Sequence, residues 1–485
     1  MDDNINSDKV FHYFREISKI PRKSGNEKGI SDYIVEFAKQ RRLEVIQDEL
    51  YNVIIKKEAS KGCEKSKPLM LQSHIDMVCE KTSQSSHDFE NEGLDLYTEG
   101  DFLRARETSL GADNGIGVAF ILAVLDNNDI ACPKIEAIFT VMEEVNMAGI
   151  KNIDIKKLES KQIIGFDFFK EGGLLVSTAG IMKINIKREY NIEELSNNYV
   201  PFLIQIGGLC GGHSGSQIHL NRGNSNCLMG TVLNDLLVNI NFKLHSINGG
   251  TVDNAIPRET STIIFINKND EYKLNEICNK WNKTFKETFL NSDKDVFVKH
   301  EKAIIESERI IDDKCKNDLI AFLVKCPNGV RKMSEELKGV VETSTNIGVI
   351  KTQEKQIIIE MSIRSNVEQE KEKTFKIIET IAQSLECRVK IGTNYSGLKY
   401  KEKSNLRDIC IEVYKEIYGK FPIISAEHFG VELGLLDSKI EGLDGILFGS
   451  NAYDYHSPNE RVSISSTKRT WGYLVRVLEK LSMKR

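Results

Sequence analysis

The sequence predicts an α/β fold in which a domain built on a central, mostly parallel sheet is interrupted by an inserted α+β domain. Apolar runs of strand length stand at 68–71, 135–141 and 163–166, within a region that alternates strand-like and helix-like patterns. Past residue 180 the strands alternate apolar and polar residues, as half-exposed strands do. At 485 residues the chain also exceeds the size at which one hydrophobic core keeps growing. We therefore predict two domains.

The hydrophobic spacing predicts individual elements along the chain. In order they are a helix at 31–38, a hairpin at 43–46 and 52–55, a strand at 183–187, a helix at 228–239, strands at 262–266 and 356–363, and helices at 406–418 and 470–481. The change of pattern sets the boundaries. We assign 1–182 to the first part of the outer domain, 183–395 to the inserted lid domain and 396–485 to the second part of the outer domain.

Composition and charge narrow the class of protein. The 71 acidic and 66 basic residues nearly balance, which disfavours nucleic-acid binding and favours small-molecule or peptide chemistry. The ten cysteines form no Cys-x-x-Cys pair, which argues against a disulfide framework and against a structural zinc knuckle. The acidic start lacks a secretory signature, and no apolar run approaches the roughly 20 residues of a membrane span. We expect a cytoplasmic protein with no nucleic-acid or membrane partner.

Charged residues stand where the three apolar runs end. They are His74 and Asp76 after the first run, Glu143 and Glu144 after the second, and Asp167 after the third. An unpaired carboxylate or imidazole is costly to bury, and a metal ion is the strongest partner available. The carboxyl ends of parallel strands meet at one edge of a sheet, where α/β proteins bind ligands. The pattern therefore indicates a metallohydrolase.

Five motifs occur together in the order and spacing of a known family. They are His74-x-Asp76, Gly111-Ala112-Asp113-Asn114-Gly115-Ile116-Gly117, Glu143-Glu144, Asp167 and His456-Ser457-Pro458-Asn459-Glu460. With them the chain resembles the aminoacylase and carboxypeptidase-like di-zinc metallopeptidases, and more closely their aminoacyl-histidine (Xaa-His, or cytosol non-specific) dipeptidase branch. Singly, each motif has an ordinary explanation, such as a tight turn, a helix cap or a solvated strand end. Their shared order favours the di-metal interpretation.

The resemblance implies a zinc-exopeptidase catalytic domain that binds two divalent ions, zinc above all, with cobalt or manganese as alternatives. Asp113 matches the carboxylate that bridges the two ions. His74 and Asp167 would complete one metal site, and Glu144 and His456 would complete the other. Each ion then keeps space for water and substrate, as a catalytic zinc requires.

Two further acids have implied catalytic roles. Asp76 would orient the first histidine by accepting its other imidazole N–H. Glu143 would be the general base that activates the metal-bridging water. Neighbouring strand residues face opposite ways, so Glu143 and Glu144 can both serve only past the end of the strand, where we expect a loop. The Asp113-Asn114 peptide bond is expected to be cis, as in the enzymes that the chain resembles.

The lid domain supplies the implied substrate contacts. His213, in a glycine-rich segment, matches a residue that stabilises the oxyanion of the reaction. Asn254 and Arg364 match residues that bind the free carboxylate of the substrate, and an Arg fork suits a carboxylate. Gly430 matches a backbone position that lines the pocket. The length of the lid leads to the hypothesis that His213 acts within its own chain, in a monomer or a homodimer.

The expected activity is metal-dependent hydrolysis of dipeptides or short peptides, either of the Xaa-His type or with broad specificity. Two alternatives stay open: deacylation of N-acyl amino acids on the same metal core, and a catalytically silent peptide-binding protein. Retention of Glu143 and of all five implied ligands argues against the silent protein. Phe168, Phe169 and Phe429 depart from the pattern of close relatives, and we expect them to alter the shape of the pocket.

Overall fold

The structure, a computed structural model, describes residues 8–195, 198–305 and 309–483. In these ranges the α-helices are α1 (Asp8–Ser18), α2 (Lys28–Gln40), α3 (Ala112–Leu125), α4 (Glu143–Asn146), α5 (Ala148–Asn152), α6 (Ser225–Asn239), α7 (Glu271–Thr288), α8 (Asp313–Lys325), α9 (Glu368–Ser384), α10 (Asn405–Tyr418), α11 (Glu432–Lys439) and α12 (Ile464–Met483). Short 3₁₀ turns are Ile155–Lys157, Ile218–Leu220 and Lys268–Asp270.

The strands within the same ranges are β1 (Glu44–Gln47), β2 (Val53–Lys57), β3 (Leu69–His74), β4 (Leu96–Glu99), β5 (Phe102–Ala105), β6 (Ile135–Thr140), β7 (Gln162–Gly165), β8 (Gly173–Thr178), β9 (Gly180–Glu189), β10 (Ile192–Glu194), β11 (Tyr199–Gly207), β12 (Gly212–His213), β13 (Phe242–Gly249), β14 (Ala255–Ile256), β15 (Thr260–Asn267), β16 (Phe297–Lys302), β17 (Arg309–Ile311), β18 (Gly329–Met333), β19 (Val341–Thr352), β20 (Gln356–Ser365), β21 (Arg388–Tyr395), β22 (Ile423–Glu427), β23 (Asp444–Leu447), β24 (Ala452–Tyr453) and β25 (Arg461–Ser463).

The chain divides into two compact units. The first comprises Met1–Thr178, Leu398–Ala426 and Val431–Arg485. The second comprises Ala179–Gly397 and Glu427–Gly430. The first unit is therefore made from segments that are distant in sequence.

An eight-stranded sheet runs through the first unit in the order β1-β2-β6-β3-β7-β23-β8-β22. Its four central strands, β6, β3, β7 and β23, are parallel, and Leu71 of β3 lies level with Ala137 on one side and Ile164 on the other. Strand β1 pairs antiparallel with β2, as do β2 with β6 and β8 with β23. The predicted mostly parallel sheet and the hairpin are confirmed.

Burial explains why the central strands are continuous apolar runs. Every residue of β3, β6 and β7 is buried, because helices cover both faces of a parallel sheet and neighbouring strands cover the two edges of each central strand. Helix α3 is buried along its whole length and packs against β3 and α1. A helix that is apolar all round belongs in the interior. Trp471 and Leu478 of α12 join the same core.

Antiparallel strands dominate the second unit. Among the residues that the structure describes, its largest sheet has eleven strands, eight of which follow the order β16-β11-β15-β13-β19-β20-β9-β21. In β9, Ile184 and Ile186 are buried while Lys187 is exposed, the alternation of a half-covered sheet. Helices α6 and α8 contribute Leu233 and Phe322 to the core beneath it. The predicted α+β character of the insertion is confirmed.

None of the helices in the described parts of the chain combines the length and the apolar character that a membrane crossing requires.

Candidate metal centre

The predicted metal ligands lie at the carboxyl edge of the parallel strands in the first unit. His74 is the last residue of β3, and Asp167 follows β7. Glu143 and Glu144 begin α4, just beyond β6. Because β6, β3 and β7 are parallel neighbours, their carboxyl ends bring these four side chains to one edge.

Asp113 lies between two histidines. It is in the first turn of α3, and His456 is in the loop between β24 and β25. Asp113 Oδ1 lies 3.0 Å from His74 Nε2, and Asp113 Oδ2 lies 3.3 Å from His456 Nε2. His456 Nε2 is also 3.0 Å from Glu144 Oε1. Each oxygen of this carboxylate thus faces a histidine, as in a bridging ligand, and the Asp113-Asn114 peptide bond is cis as expected.

Two donor sets share Asp113. His74, Asp113 and Asp167 have ligand atoms within 4.8 Å of one another, and so do Asp113, Glu144 and His456. A third set joins His74 to Glu143 and Glu144 within the same distance. Imidazole nitrogen combined with carboxylate oxygen is a donor set that suits zinc and related divalent metals. The residues present therefore fit a pair of divalent cations that have one carboxylate in common.

Burial and mutual repulsion give the carboxylates of this centre different pKa values. Burial raises the pKa of Asp167 to about 7, and the nearby charge of Asp113 adds to the effect. Burial also disfavours ionised Asp113, but hydrogen bonds from His456 and His74 outweigh it and hold the pKa of Asp113 below its usual range. Desolvation raises the pKa of Glu143 well above its usual range. Positive charge would stabilise the ionised forms of these neighbouring acids, and bound metal ions would supply it.

Asp76 contacts both the first histidine and the turn that carries the glutamates. Its Oδ1 lies 3.4 Å from His74 Nδ1. Its carboxylate also accepts the backbone N–H groups of Glu143 at 3.1 Å and Glu144 at 3.2 Å, and the Ser24 hydroxyl at 2.7 Å. The two backbone N–H groups belong to the start of α4, where no helical carbonyl can reach them. Asp76 thus joins His74 to the glutamates through one carboxylate.

The two glutamates lie in a helical turn and not in the expected loop. Strand β6 ends at Thr140, and Met142 then has φ 57°, which turns the chain. Helix α4 starts directly afterwards with Glu143 and Glu144. The expectation of a loop was wrong because the Asp76 carboxylate satisfies the amides that a helix start leaves unpaired. The expectation that the strand has ended before the glutamates is confirmed.

Glu432 is a buried acid near the centre to which the sequence patterns attached no role. It starts α11, and its Oε2 accepts hydrogen bonds from Gln72 Nε2 and, at 2.6 Å, from Thr140 Oγ1. These partners belong to β3 and β6, the strands that lead to the metal ligands. Burial raises the pKa of Glu432 to about 8. In the sequence, Glu432 is visible as an acidic residue within residues 428–433. Its hydrogen-bond partners are distant in sequence, so no local pattern predicts them.

In the second unit, His213 is held in one tautomer. It lies in β12, opposite Ala255 of β14. Its Nδ1 accepts the N–H groups of Gly215 at 3.3 Å and Ser216 at 3.1 Å, so the ring proton is on Nε2. Burial, and then the charge of Arg364, lower the pKa of His213 to about 4. The ring is therefore neutral at pH 7 and offers its Nε2–H as a donor.

Arg364 is a buried cation in the large sheet of the second unit. Its side chain is 4% exposed, and its Nε has no hydrogen-bond partner within the described ranges. It lies opposite Ser344 in the register of β19 and β20. Ser344 Oγ is 2.7 Å from His428 Nε2, and burial together with Arg364 lowers the pKa of His428 to about 3. A buried guanidinium with an unpaired N–H is suited to binding an anion.

Asn254 and Gly430 are the other predicted residues of the second unit. The Asn254 carbonyl accepts the N–H of Ser214 at 2.8 Å, next to His213, and Asn254 is exposed. Gly430 lies against Tyr395, whose hydroxyl would be 2.6 Å from an added Cβ. A larger residue at this position would require the Tyr395 side chain to shift. The predicted site residues form two sets, with the metal ligands in the first unit and the substrate residues in the second.

The fold and the site together define a class of protein. A parallel sheet carries two histidines and several buried acids at its carboxyl edge, in donor sets that share one aspartate. This is the arrangement of hydrolases that use two metal ions.

Comparison with known proteins identifies the family. The model of peptidase family M20/M25/M40 matches residues 70–480, so the chain belongs to this family. The chain is 30% identical over 475 residues to the cytosol non-specific dipeptidase of Escherichia coli (strain K12), a match that covers 98% of each chain. The predicted family, and with it a metal-dependent hydrolytic enzyme, are confirmed.

Solved structures agree with this membership. The aminoacylhistidine dipeptidase from Vibrio alginolyticus superposes with a TM-score of 0.92 at 32% identity, over 98% of this chain and 97% of that chain. A tripeptidase from Staphylococcus aureus matches with a TM-score of 0.57 at 16% identity, over 99% of this chain and 100% of that chain. The second likeness concerns the fold alone.

Proposed function

We propose that this protein is a dipeptidase that uses two divalent metal ions, zinc above all, with cobalt or manganese as alternatives. The observation that supports it most is that two histidine-containing donor sets share Asp113. Two ions about 3.5–4 Å apart are the recurring arrangement of two-metal aminopeptidases. The names of the dipeptidases from E. coli and V. alginolyticus, which match nearly the whole chain, support the substrate class.

The proposed ligands divide between the two ions. Asp113 would serve both ions, His74 and Asp167 would complete the ligands of one, and Glu144 and His456 would complete those of the other. When bound, the ions would polarise the peptide carbonyl and lower the pKa of water in the site. The donor distances within each set support this division.

Glu143 is the proposed general base. It belongs to the donor set of His74 and Glu144, and desolvation raises its pKa, as is common for carboxylates that transfer protons. Glu143 takes a proton from the attacking water and passes it to the nitrogen of the leaving amine. Asp76 accepts the Glu143 N–H at 3.1 Å and so orients the base as well as the histidine.

The second unit contributes the proposed substrate-binding residues. His213 donates its Nε2–H to the oxyanion, and Arg364 and Asn254 bind the free carboxylate of the peptide. The Gly430 backbone lines the pocket. Binding of that carboxylate selects short peptides with a free C-terminus. We further propose that the protein acts in the cytosol, for which the name of the E. coli relative is the support.

The substrate class is tested with purified protein supplied with Zn²⁺, Mn²⁺ or Co²⁺. The panel contains dipeptides with and without a C-terminal His, tripeptides and N-acetyl amino acids. We expect the dipeptides to be cleaved fastest. Preference for N-acetyl amino acids would replace the proposal with a deacylase, and absence of any hydrolysis would favour a silent peptide-binding protein.

The role of Glu143 is tested by the Glu143→Gln variant, which keeps the shape of the side chain and removes the base. We expect kcat to fall by about 10²–10⁴-fold with metal content unchanged, since general-base catalysis contributes about that much. The matched control is Glu136→Gln, because Glu136 is a buried glutamate of β6 whose carboxylate accepts the N–H groups of Glu159 and Ser160. The control should keep its activity. Robust hydrolysis by the Glu143→Gln variant would overturn the mechanism.

A further inference from the structure

We infer that Arg22 and Glu460 form a buried clamp that positions the Asp113 loop, residues 110–113, and that this clamp sets the affinity of the centre for metal ions. The inference rests on the proposed function, because it takes Asp113 as the ligand common to both ions. Neither Arg22 nor Glu460 belongs to the donor sets within the described residues.

Both carboxylate oxygens of Glu460 accept hydrogen bonds from the backbone of residues 110–113. The side chain is buried, with 2% exposure. Its Oε2 accepts the N–H groups of Leu110 at 2.7 Å and Gly111 at 2.8 Å, and its Oε1 accepts those of Ala112 at 2.8 Å and Asp113 at 3.3 Å. These N–H groups precede or begin α3, where helical carbonyls are not available. Four hydrogen bonds to one carboxylate group hold the Asp113 loop in place.

Arg22 ties the Asp113 loop to the end of strand β3. It is 2% exposed, and its Nη1 donates to the carbonyl oxygens of Ile75 at 3.3 Å and Asp76 at 3.2 Å. Its Nη2 donates to the carbonyl oxygen of Gly111 at 2.5 Å. Ile75 and Asp76 directly follow His74, so one planar guanidinium connects the backbone beside two candidate ligands. A lysine has one nitrogen and cannot reproduce this fork.

The glycines of the Asp113 motif leave room for the guanidinium. A Cβ added to Gly115 would lie 2.7 Å from Arg22 Nη2, and a Cβ added to Gly111 would overlap the same nitrogen. Gly111 also has φ 63°, in the region that favours glycine. Metal ligation alone does not require a glycine at either position. The close approach of Arg22 Nη2 accounts for the glycine at position 115 and, together with the positive φ, for the glycine at position 111.

Arg22 and Glu460 both hydrogen-bond to the backbone of residues 110–113, Arg22 through the Gly111 carbonyl and Glu460 through the four N–H groups. Burial lowers the pKa of Arg22, and the charge of Glu460 opposes that effect. A shift of the Asp113 loop would change the position of both Asp113 oxygens, and hence both ion sites, at once.

The test measures Zn²⁺ binding to the full chain by competition with a chromophoric chelator, without recourse to activity. The variants are Arg22→Lys, Arg22→Met and Glu460→Gln. Partners outside the metal ligands typically change metal affinity by about 10–100-fold when mutated, and we expect a loss of that size. Arg22→Lys should lose less affinity than Arg22→Met, because it keeps the charge. The melting temperature of the metal-free protein is recorded in parallel.

Matched control variants distinguish an effect on the position of the Asp113 loop from a general loss of stability. Arg407→Lys alters another buried arginine of the first unit, whose Nη1 and Nη2 donate to the carbonyls of Lys401 at 2.7 Å and Glu402 at 2.6 Å. Glu136→Gln serves as the control for Glu460→Gln. We expect both controls to bind Zn²⁺ as the wild type does, even where their melting temperatures fall.

The possible results separate a failure of the clamp inference from a failure of the proposed function. Unchanged Zn²⁺ affinity in the clamp variants would overturn the inference, and so would an equal loss in the controls. If the clamp variants do not fold, the Gly115→Ala variant takes their place. Its added Cβ would lie 2.7 Å from Arg22 Nη2 and would displace the guanidinium without removing a charged group. Wild-type protein that binds none of Zn²⁺, Mn²⁺ and Co²⁺ would instead overturn the proposed function.

Discussion

At the scale of single residues, side chains of the same type have different pKa values because their surroundings differ. Asp113 lies between two imidazoles and stays ionised, whereas the pKa of Asp167 rises to about 7 because burial and the Asp113 charge both disfavour its charged form. The same contrast holds for histidines. The pKa of His456 rises to about 10 because hydrogen bonds to Asp113 and Glu144 outweigh its burial, while burial and Arg364 lower that of His428 to about 3. Neighbours, more than residue type, set the charge.

His428 leads to a prediction about stability and pH. Its pKa is about 3 in the folded protein against 6.5 as the ordinary value. Between these values the unfolded chain binds more protons, so the free energy of unfolding rises with pH by at most about 1.4 kcal/mol per pH unit. This stability is fully present above the ordinary pKa and is lost as the pH falls towards 3.

The His428→Asn variant removes this dependence and keeps a polar partner for Ser344. We expect the difference in unfolding midpoint between wild type and variant to change steadily between about pH 4 and pH 7, with the wild type losing more as the pH falls. Denaturant unfolding of both proteins at several pH values measures it. Parallel pH profiles for the two proteins would contradict the prediction.

At the scale of elements, the close approach of α3 to the sheet depends on Gly117. A Cβ added there would lie 2.7 Å from Phe166 Cβ and 2.7 Å from Ser73 Oγ. Ser73 precedes His74 in β3, and α3 begins beside Asp113, so the packing of this helix bears directly on the candidate metal centre. Gly472 in α12 offers a contrast, because no atom of the described residues lies within 4 Å of an added Cβ.

The two glycines predict opposite effects of the same substitution. Gly117→Ala should destabilise the protein by about 1–3 kcal/mol, because it overpacks the core. Gly472→Ala should stabilise it by about 0.5–1 kcal/mol, because alanine favours a helix and reduces the freedom of the unfolded chain. Denaturant unfolding of the metal-free proteins measures both. Equal shifts in the two variants would show that space around the glycine does not decide the outcome.

The elements that sequence patterns predicted best are the buried strands. Strands β3, β6 and β7 appear as apolar runs because both faces are covered, and each ends next to the predicted ligands. Helix α4 was not predicted. Its start is stabilised by the Asp76 carboxylate, which is 67 positions from Glu143 along the chain, and local patterns do not contain such a contact.

At the scale of the whole molecule, the predicted catalytic residues are divided between two units. The metal ligands and Glu143 belong to the first unit, whereas His213 and Arg364 belong to the second. Catalysis as proposed needs both sets. One chain can supply both sets of residues, or two chains of an oligomer can each supply one set.

A mixing experiment tests the hypothesis that His213 acts within its own chain. Glu143→Ala and His213→Ala variants are each inactive under the proposed mechanism. We expect their mixture to stay inactive, because each chain then lacks one necessary residue. The control mixes each variant with wild type and should recover activity in proportion to the wild type added. Recovery of activity by the two variants together would instead place His213 of one chain at the metal centre of another.

Apolar runs and motif order were enough to predict the α/β class, the strands that lead to the candidate centre and the family, because these are properties of short segments and of their sequence order. The roles of the ligands, of Glu143 and of the residues of the second unit stay predictions. Tertiary structure alone revealed the second role of Asp76, the links of Glu432 to β3 and β6, and the clamp of Arg22 and Glu460. Glu460 and Leu110 are 350 positions apart, and they meet because β25, which directly follows Glu460, pairs with β5, which ends five residues before Leu110.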